Sequence, residues 1–435
     1  MIEDLLNSSF KCNCGREHHI NIKEIIVGRN ILKSIPKTLH ALTDKKKVLL
    51  INDNNTYQAA GEIVKNILKE AGFKVNNLIL KGQKVKPNPT NLFKIIREYT
   101  KDQYIIACGS GSINDLTGYA SYKMGEPYSI IATAPSMDGY ASSVSSITAE
   151  GVKQTYNTAP AEAIFADIDV LRKAPFDLIL AGYGDLLGKT TSLLDWKLAD
   201  ILFDEYYCEK ADSIVKNELE NIIELLQKEN IRAAENIETL IKGLIYSGIA
   251  MLMVESSRPA SGSEHHVSHF LEMFSEKENL NLPYHGIKVG IGTLFTTSFY
   301  LNLRELDFST LKFRLDKKKR EEEIKRIYGD RAQPILTNLD ERWNKEYIQK
   351  DEIQDNEDNI KNLIDNNIEI IKKSRNILIE NNFLQMDKTE NISKKILENA
   401  LKYGFEIRSR YTVTTFLKQV NKLDQLVDNL LKDYY

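Results

Sequence analysis

The chain has 435 residues, 58 basic and 61 acidic, and its formal net charge is −3. This balance gives no electrostatic case for nucleic acid or an anionic membrane as a partner, and the length favours two domains over one hydrophobic core. We expect no apolar stretch long enough to span a membrane. Since the acidic N-terminus lacks the features of a secretory signal, we expect a cytoplasmic protein.

The four cysteines are too few and too scattered for a disulfide framework. Cys12 and Cys14 precede His18 and His19, which could indicate a small metal site. Their spacing is unlike the common zinc patterns, and no second pair of ligands lies nearby in the sequence. We therefore favour a surface hairpin ahead of the first domain.

Short apolar runs alternate with helical periods through the first part of the chain. The runs predict strands at 22–27, 46–53, 74–80, 105–108, 128–133 and 163–167. Helices are predicted at 31–42, at 57–71 with a cap at 54–56, at 90–99, and from residue 116 onward. A polar hairpin is predicted between residues 144 and 159. This alternation predicts a mostly parallel sheet covered by helices, in which ligands bind beyond the carboxyl ends of the strands.

The most informative stretch follows the apolar run that ends at Cys108. The chain turns through the small residues that begin at Gly109, and Leu116–Tyr122 has the spacing of a helix start. Such a turn lets the backbone approach a phosphate, which the helix N-terminus attracts, although a simple tight turn would explain the residues equally well. The spacing matches neither the common dinucleotide fingerprint nor the P-loop. Asp53 also ends a strand, where its carboxylate could bind a ribose or only turn the chain.

From Lys173 onward the pattern is a succession of helical periods with few strand signals. We therefore predict an α/β dinucleotide-binding domain over residues 1–172 and an all-α metal- and substrate-binding domain over residues 173–435. Residues 356–435 contain no motif that indicates a function.

Four of the seven histidines lie close together in the sequence, at His265, His266, His269 and His285. On a helix His265 and His269 share one face, and His266 points elsewhere. Upstream, Asp185 lies between glycines in a helical period. One carboxylate with two imidazoles suits a divalent metal that keeps positions open for a substrate. Histidines that cap helices or fill the core are the alternative, and their number and spacing favour the metal.

Five motifs resemble the sn-glycerol-1-phosphate dehydrogenase family, which belongs to a group with iron-type alcohol dehydrogenases, glycerol dehydrogenase and 3-dehydroquinate synthase. The motifs are GSGSINDLTGYAS (109–121), TAPSMDGYASSVSSI (133–147), GYGDLLGK (182–189), SRPASGSEHHVSHFLEM (257–273) and YHGIKVGIGT (284–293). The second and fourth are specific to the glycerol-1-phosphate branch. They occur in family order across most of residues 20–300.

The resemblance implies NAD(P) binding by the strand-end Asp53 and by residues of the first two motifs. These residues are Gly109, Gly111, Ser112, Ile113, Asn114, Asp115, Thr133, Ala134, Pro135, Ser136 and Ser142. Ser110 departs from the family's three consecutive glycines, which costs little if its φ is negative.

The resemblance further implies that Asp185, His265 and His285 bind the metal. Substrate contacts fall to Asp138, Asp185 and His269, and the last of these is our candidate proton relay. The metal would be nickel or zinc, with iron as a further possibility, because Asp and His suit all three. Intact ligand positions argue against a degenerate, non-catalytic nucleotide-binding relative.

The implied reaction is the reversible reduction of dihydroxyacetone phosphate by NADH or NADPH to sn-glycerol 1-phosphate, for glycerophospholipid-type metabolism. Lys189, Arg258 and Lys288 lie inside the motifs and could bind the phosphate, or be ordinary surface charges. Polyol oxidation as in glycerol dehydrogenase and cyclisation as in 3-dehydroquinate synthase are the alternatives. The resemblance implies a homodimer or larger homo-oligomer, and we expect no nucleic-acid partner and no membrane insertion.

Overall fold

The computed structural model of the chain describes residues 3–82, 84–149, 152–226, 230–278, 282–312, 316–346, 350–383 and 392–434. Its strands are β1 (Ser8–Lys11), β2 (Glu17–Ile20), β3 (Glu24–Gly28), β4 (Lys47–Asp53), β5 (Lys74–Leu80), β6 (Gln103–Gly109), β7 (Tyr128–Ala132), β8 (Val144–Ala149), β9 (Val152–Asn157) and β10 (Ala163–Asp167).

The α-helices first alternate with these strands and then follow them to the end of the chain. They are α1 (Ile35–Leu42), α2 (Asn54–Thr56 and Glu62–Glu70, with the π-helical segment Tyr57–Gly61 between them), α3 (Pro89–Glu98), α4 (Gly111–Met124), α5 (Ile168–Leu171), α6 (Phe176–Phe203), α7 (Glu209–Leu226), α8 (Ala234–Val254), α9 (Ser263–Glu278), α10 (His285–Arg304), α11 (Lys317–Tyr328), α12 (Ala332–Glu346), α13 (Lys350–Asp355), α14 (Glu357–Asp365), α15 (Ile368–Glu380), α16 (Lys394–Tyr403), α17 (Val413–Gln419) and α18 (Leu423–Tyr434).

Six strands form one fully parallel sheet in the order β3-β10-β7-β6-β4-β5. Strands β6, β7 and β10 are buried along their whole length, which is why they are continuous apolar runs in the sequence. On one face of the sheet Leu50 and Ile106 pack in a core with Val64 and Leu68 of α2. The predicted fold class, a parallel α/β region followed by a helical region, is confirmed.

Parallel pairing brings the carboxyl ends of β4, β6 and β7 to one edge of the sheet. The Thr133 N–H donates to the Gly109 carbonyl at 3.1 Å. Ala107 of β6 pairs with Ile51 of β4, two residues before Asp53. The three turns that follow these strands therefore lie side by side, where a doubly wound sheet binds its ligands.

Helix α2 begins earlier than predicted because Asp53 caps it. The Asp53 carboxylate accepts the Thr56 N–H at 2.8 Å, and the Thr56 hydroxyl accepts the Asp53 N–H at 2.9 Å. This reciprocal pair is a capping box. The predicted cap at Asn54–Thr56 is wrong, since those residues form the first helical turn.

Both antiparallel hairpins form where the sequence predicts them. Strands β1 and β2 pair from Ser8–Ile20 to Lys11–Glu17, and β8 pairs with β9. The first hairpin places its turn at residues 12–16, which contain both N-terminal cysteines.

The chain divides into two compact units, Met1–Leu186 with Lys210–Ser257, and Leu187–Glu209 with Arg258–Tyr435. The first contains the parallel sheet and α8, and the second contains α9, α10 and the C-terminal helices. Helix α6 contributes residues to both units. The domain boundary near residue 172 stays a prediction.

Helix α8 is mostly apolar, and its charged residues Glu235, Glu238 and Lys242 lie in its first half. Its most apolar 18 residues have a mean hydropathy of 1.6, and 78% of them are buried. The expectation that no apolar stretch reaches a spanning length is therefore wrong, because this helix is long and apolar enough to cross a membrane. The large buried share of this stretch is the pattern of a core helix, which passes the same test of length and composition.

A buried carboxylate organises the second unit near its C-terminal helices. Glu406 accepts hydrogen bonds from Arg320 at 2.6 and 2.9 Å and also pairs with Arg342. Arg342 in turn donates to the Arg408 carbonyl at 2.7 Å. Two guanidinium groups and one carboxylate thus fix the backbone that leads into Arg408.

Gly182 is required because α6 passes directly against the loop after β7. A Cβ built at this position would lie 1.8 Å from the Pro135 carbonyl oxygen. A backbone carbonyl has no flexible end that could move away, so helix and loop would have to separate.

We predict that Gly182→Ala lowers the free energy of unfolding by about 1–3 kcal/mol, the usual cost of overpacking, despite the better helix propensity of alanine. Chemical denaturation measures this. The control is Gly118→Ala, also inside a helix, whose Cβ would lie 3.0 Å from the Tyr128 hydroxyl. Because this contact is less close than that of Gly182, the control should be destabilised less. Equal stability of the Gly182→Ala variant and the unchanged chain would contradict the packing described above.

Candidate functional site

Three side chains from different helices converge on one point. Asp185 of α6, His265 of α9 and His285 of α10 each offer one ligand atom, and these atoms all lie within 4.8 Å of one another. Asp185 is fully buried, and His265 is 6% exposed. The structure therefore brings together the three residues that the sequence predicted as metal ligands.

A buried carboxylate orients the first imidazole. His265 Nδ1 lies 2.7 Å from Glu264 Oε1, and the other carboxylate oxygen of Glu264 accepts the Thr191 hydroxyl at 2.6 Å. The Gly262 N–H also donates to Glu264, at 2.7 Å. Burial raises the pKa of Glu264, and these hydrogen bonds oppose that shift. A ring that donates its Nδ1 proton to a carboxylate keeps the Nε2 lone pair for a metal.

A second carboxylate orients the other imidazole. His285 Nδ1 lies 2.9 Å from Glu272 Oε1, and the Ser268 hydroxyl lies 3.3 Å from the same nitrogen. Both candidate imidazole ligands thus have the carboxylate partner that is typical of metal-bound histidines. One carboxylate and two imidazoles so oriented fit a divalent cation of the zinc, nickel or iron type.

His269 lies next to the two imidazoles without joining the ligand group. Its ring centroid is 6.1 Å from that of His265 and 5.8 Å from that of His285. Its Nδ1 is 3.4 Å from Glu272, which also contacts His285. Desolvation lowers the pKa of His269 to about 4, against the opposing effect of Glu272. His269 is therefore a neutral imidazole at the edge of the site.

His266 takes no part in this arrangement. It is buried, and neither ring nitrogen has a hydrogen-bond partner among the residues that the structure describes. Burial lowers its pKa well below the usual value. This environment agrees with the prediction that His266 does not lie on the helix face that His265 and His269 share.

The predicted substrate residue Asp138 is tied to the predicted ligand Asp185. The Asp138 N–H donates to Asp185 Oδ2 at 3.1 Å, and the Ser247 hydroxyl donates to Asp138 Oδ2 at 3.0 Å. The loop after β7 thereby holds one carboxylate oxygen of Asp185.

The helix that follows the glycine-rich turn after β6 begins at Gly111, five residues before the predicted start at Leu116. Ser110 has φ −113°, so serine in place of the family's glycine is not strained. Gly109 is needed for close packing, since a Cβ there would lie 2.5 Å from the Ile113 side chain. The partly exposed residues 110–112 open α4, whose first N–H groups are available to an anion.

The second predicted nucleotide segment is held against this helix. The Asn114 side chain donates to the Gly139 carbonyl at 3.0 Å, and the Tyr140 hydroxyl donates to the Ala134 carbonyl at 2.6 Å. Ser142 is buried and donates within its own loop, to the carbonyls of Gly139 and Val144. Asn114 and Ser142 therefore shape the loop in this structure, and their contact with a dinucleotide stays a prediction.

Apart from Asp53, the remaining residues predicted to bind the nucleotide lie in the start of α4 and in the loop after β7. Ser112 and Asp115 are partly exposed in α4, whereas Thr133, Pro135 and Ser136 are buried in the loop after β7. Asp53 lies at the end of neighbouring β4, where one of its oxygens serves the helix cap.

The three cations inside the motifs are not surface charges. Lys189 is fully buried and donates to the Ala260 carbonyl at 3.0 Å. Arg258 is buried against Glu205, with one contact of 2.6 Å. Lys288 is buried, donates to the Pro283 carbonyl at 2.8 Å and lies 3.4 Å from Glu272. The surface-charge interpretation is therefore wrong for all three.

Three residues at this site were missed in the sequence. Glu264 directly precedes His265, and Glu272 follows His269 by three positions, so one helix carries these histidines and both carboxylates. That proximity was the signal that could have identified them. Arg408 was also missed: its charge lowers the pKa of His269 and interacts with Glu272. No motif surrounds Arg408, so no local pattern could have indicated it.

Comparison with known proteins places these features in a family. Residues 26–175 match the family described as iron-containing alcohol dehydrogenase. The glycerol-1-phosphate dehydrogenase (NAD(P)+) of Halalkalibacterium halodurans is 39% identical over 297 residues, which cover 67% of this chain and 74% of that protein. The enzyme of the same name from Pyrococcus horikoshii is 37% identical over 62% of this chain and 77% of its own length.

Solved structures show the same fold at lower identity. Glycerol dehydrogenase from Schizosaccharomyces pombe superposes with a TM-score of 0.60 and 16% identity, covering 95% of this chain and 91% of that one. The iron-containing alcohol dehydrogenase of Thermococcus thioreducens gives a TM-score of 0.58 and 15% identity, covering 95% of this chain and 98% of its own. The sequence relatives and the five ordered motifs, on this shared fold, show that the chain belongs to the glycerol-1-phosphate dehydrogenase family.

Proposed function

We propose that this protein is an NAD(P)-dependent oxidoreductase that reversibly reduces dihydroxyacetone phosphate to sn-glycerol 1-phosphate, in glycerophospholipid-type metabolism. The observation that carries the proposal is the convergence of Asp185, His265 and His285 in a chain whose relatives are named glycerol-1-phosphate dehydrogenase. We propose these three residues as the ligands of one nickel or zinc ion, or of iron.

The cation supplies Lewis-acid polarisation of the substrate carbonyl, and the reduced nicotinamide supplies the hydride. The chain's own contribution is to hold the groups in place. Glu264 and Glu272 keep the Nδ1 atoms of both imidazole ligands occupied. The Asp138 N–H holds one oxygen of Asp185, so all three ligands are oriented before the cation binds.

His269 is the proposed proton relay. Because its pKa is lowered to about 4, the ring is neutral near pH 7 and can pass a proton from one nitrogen to the other without storing charge. Its Nδ1 side faces Glu272 at 3.4 Å, which leaves Nε2 for the substrate oxygen or a water molecule.

The substrate's phosphate needs positive charge near the histidines. Lys288 and Arg408 both interact with Glu272, which itself contacts His269 and His285. We propose that these two cations compensate the phosphate charge. A site for unphosphorylated glycerol has no such need, and this distinguishes the proposal from glycerol dehydrogenase activity.

The carboxyl edge of the sheet is the proposed NAD(P) site. The turn at Gly109–Ser112 and the neighbouring segment Thr133–Ser136 would hold the pyrophosphate, and Asp53 would bind the adenosine ribose. We further propose a cytoplasmic location and assembly as a homodimer or larger homo-oligomer.

We predict that full chelation of the purified enzyme abolishes oxidation of NADH or NADPH with dihydroxyacetone phosphate. The expected loss is on the order of 100-fold or more, because carbonyl polarisation contributes several kcal/mol. Nicotinamide absorbance follows the reaction, and returned nickel or zinc should restore it. Dihydroxyacetone without phosphate is the matched substrate and should react far more slowly. Undiminished activity in verified metal-free enzyme would contradict the metal-assisted mechanism, and a preference for glycerol would favour a glycerol dehydrogenase.

A second prediction concerns the carboxylate that orients His285. Glu272→Gln keeps the side-chain shape and removes the charge, so affinity for the site's metal should fall about 10–100-fold. Competition with a metal-binding dye measures it. Glu238→Gln, in an exposed pair with Lys242 on α8, is the control and should bind as the unchanged chain does. Unchanged affinity in Glu272→Gln would remove the proposed orienting role.

A third prediction concerns the choice between cofactors. Asp53→Ser keeps an N-cap oxygen for α2 and removes the charge that would repel a 2′-phosphate. The ratio of kcat/KM for NADPH to that for NADH should rise about tenfold, which corresponds to about 1.4 kcal/mol. Asp53→Asn keeps size and cap and should shift the ratio in the same direction. A constant ratio in both variants would show that Asp53 only caps the helix.

A further inference from the structure

The N-terminal hairpin holds a second group of metal-ligand side chains. Cys12, Cys14, His18 and Cys208 each offer one ligand atom, and these four atoms lie within 4.8 Å of one another. The first three are in or beside the β1–β2 turn, whereas Cys208 comes far later, directly before α7. The sequence made a metal site unconvincing because no further ligands lay nearby, and the fold supplies one in Cys208.

The turn that carries two of the cysteines is closed by its own backbone. The Cys12 N–H donates to the Arg16 carbonyl at 2.9 Å, and the Gly15 N–H donates to the Cys12 carbonyl at 3.1 Å. Gly15 has φ +85°, the left-handed conformation that favours glycine. The spacing of Cys12 and Cys14 is thus set by a fixed turn.

His18 has the orientation of a metal ligand. Its Nδ1 lies 2.6 Å from the Met253 carbonyl oxygen, which can only accept, so Nδ1 carries the proton. Nε2 keeps its lone pair and lies 3.3 Å from the Cys14 sulfur. His18 is 1% exposed, so this lone pair is withdrawn from solvent. A backbone carbonyl on the far nitrogen is a common second partner of zinc-bound histidine.

We propose that these four residues form a structural zinc site. Three sulfurs and one imidazole nitrogen are a complete tetrahedral set, which leaves no open position for a substrate. Soft thiolate ligands favour zinc over magnesium or calcium. All four cysteines of the chain are outside disulfides, so the three sulfurs of this group can each bind a metal as a thiolate. This proposal is independent of the proposed enzymatic function.

The protons released and the charge of the complex can be counted for zinc binding at this site. The three thiols lose their protons to solvent as three sulfur–zinc bonds form, while His18 binds through Nε2 and keeps its proton on Nδ1. The product carries one negative charge, and a lysine lies close by. Lys210 Nζ is 4.3 Å from the centre of the Phe10 ring, and that ring is 5.4 Å from the His18 ring. The ion would fasten the hairpin to the start of α7, because Cys208 directly precedes that helix.

The test compares metal content of the purified full chain and its variants after incubation with zinc. Cys14→Ser, Cys208→Ser and His18→Ala should each lose about one zinc per chain, whereas Asp185→Asn should keep that ion. His19→Ala is the matched control, since His19 is next in sequence and instead contacts the Ser9 hydroxyl at 2.8 Å. Zinc content unchanged in Cys14→Ser and Cys208→Ser would overturn the proposal.

A measurement on the unchanged chain covers the case in which a variant fails to fold. Cobalt(II) exchanged into the protein should show thiolate-to-cobalt charge-transfer absorption, which a carboxylate–imidazole site cannot produce. Thiol alkylation should abolish that absorption and release the ion. Cobalt binding without the absorption, or a disulfide between Cys208 and either N-terminal cysteine in the metal-treated protein, would overturn the proposal.

Discussion

The structure depends on how two imidazole rings are held. His265 and His285 both point Nδ1 at a carboxylate, that of Glu264 at 2.7 Å and that of Glu272 at 2.9 Å. A carboxylate at Nδ1 favours one orientation of each ring and the tautomer that keeps the Nε2 lone pair for a metal.

The same carboxylates connect the proposed metal ligands to the rest of the site. Glu272 touches His269 and Lys288 as well as His285, so the proposed relay, the proposed phosphate cation and one ligand share a single partner. Glu264 is held by Thr191 and the Gly262 N–H, which lie in the interior of the protein. Substitutions in that buried network should therefore change the orientation of Glu264 and, through it, the orientation of the proposed ligand His265.

Local patterns were sufficient to place the strands and the motifs, but they placed the starts of α2 and α4 too late. Continuous apolar runs predicted β10 at its observed bounds and β7 to within one residue, because strands buried on both faces cannot alternate. Partners distant in the chain were beyond such patterns. Nothing near Lys189 indicates that Ala260 will accept its ammonium group, and nothing near Cys14 points to Cys208. Ser110 is an intermediate case. The sequence showed that serine replaces a glycine of the family, but only the observed φ shows that this serine is unstrained.

The most direct test of the central claim is a crystal structure of the enzyme with nickel or zinc, using anomalous scattering at the metal edge. We expect one strong peak within coordination distance of an Asp185 oxygen and of Nε2 of both His265 and His285, with their Nδ1 atoms still on Glu264 and Glu272. A metal bound elsewhere, or these three side chains too far apart to share an ion, would contradict this expectation.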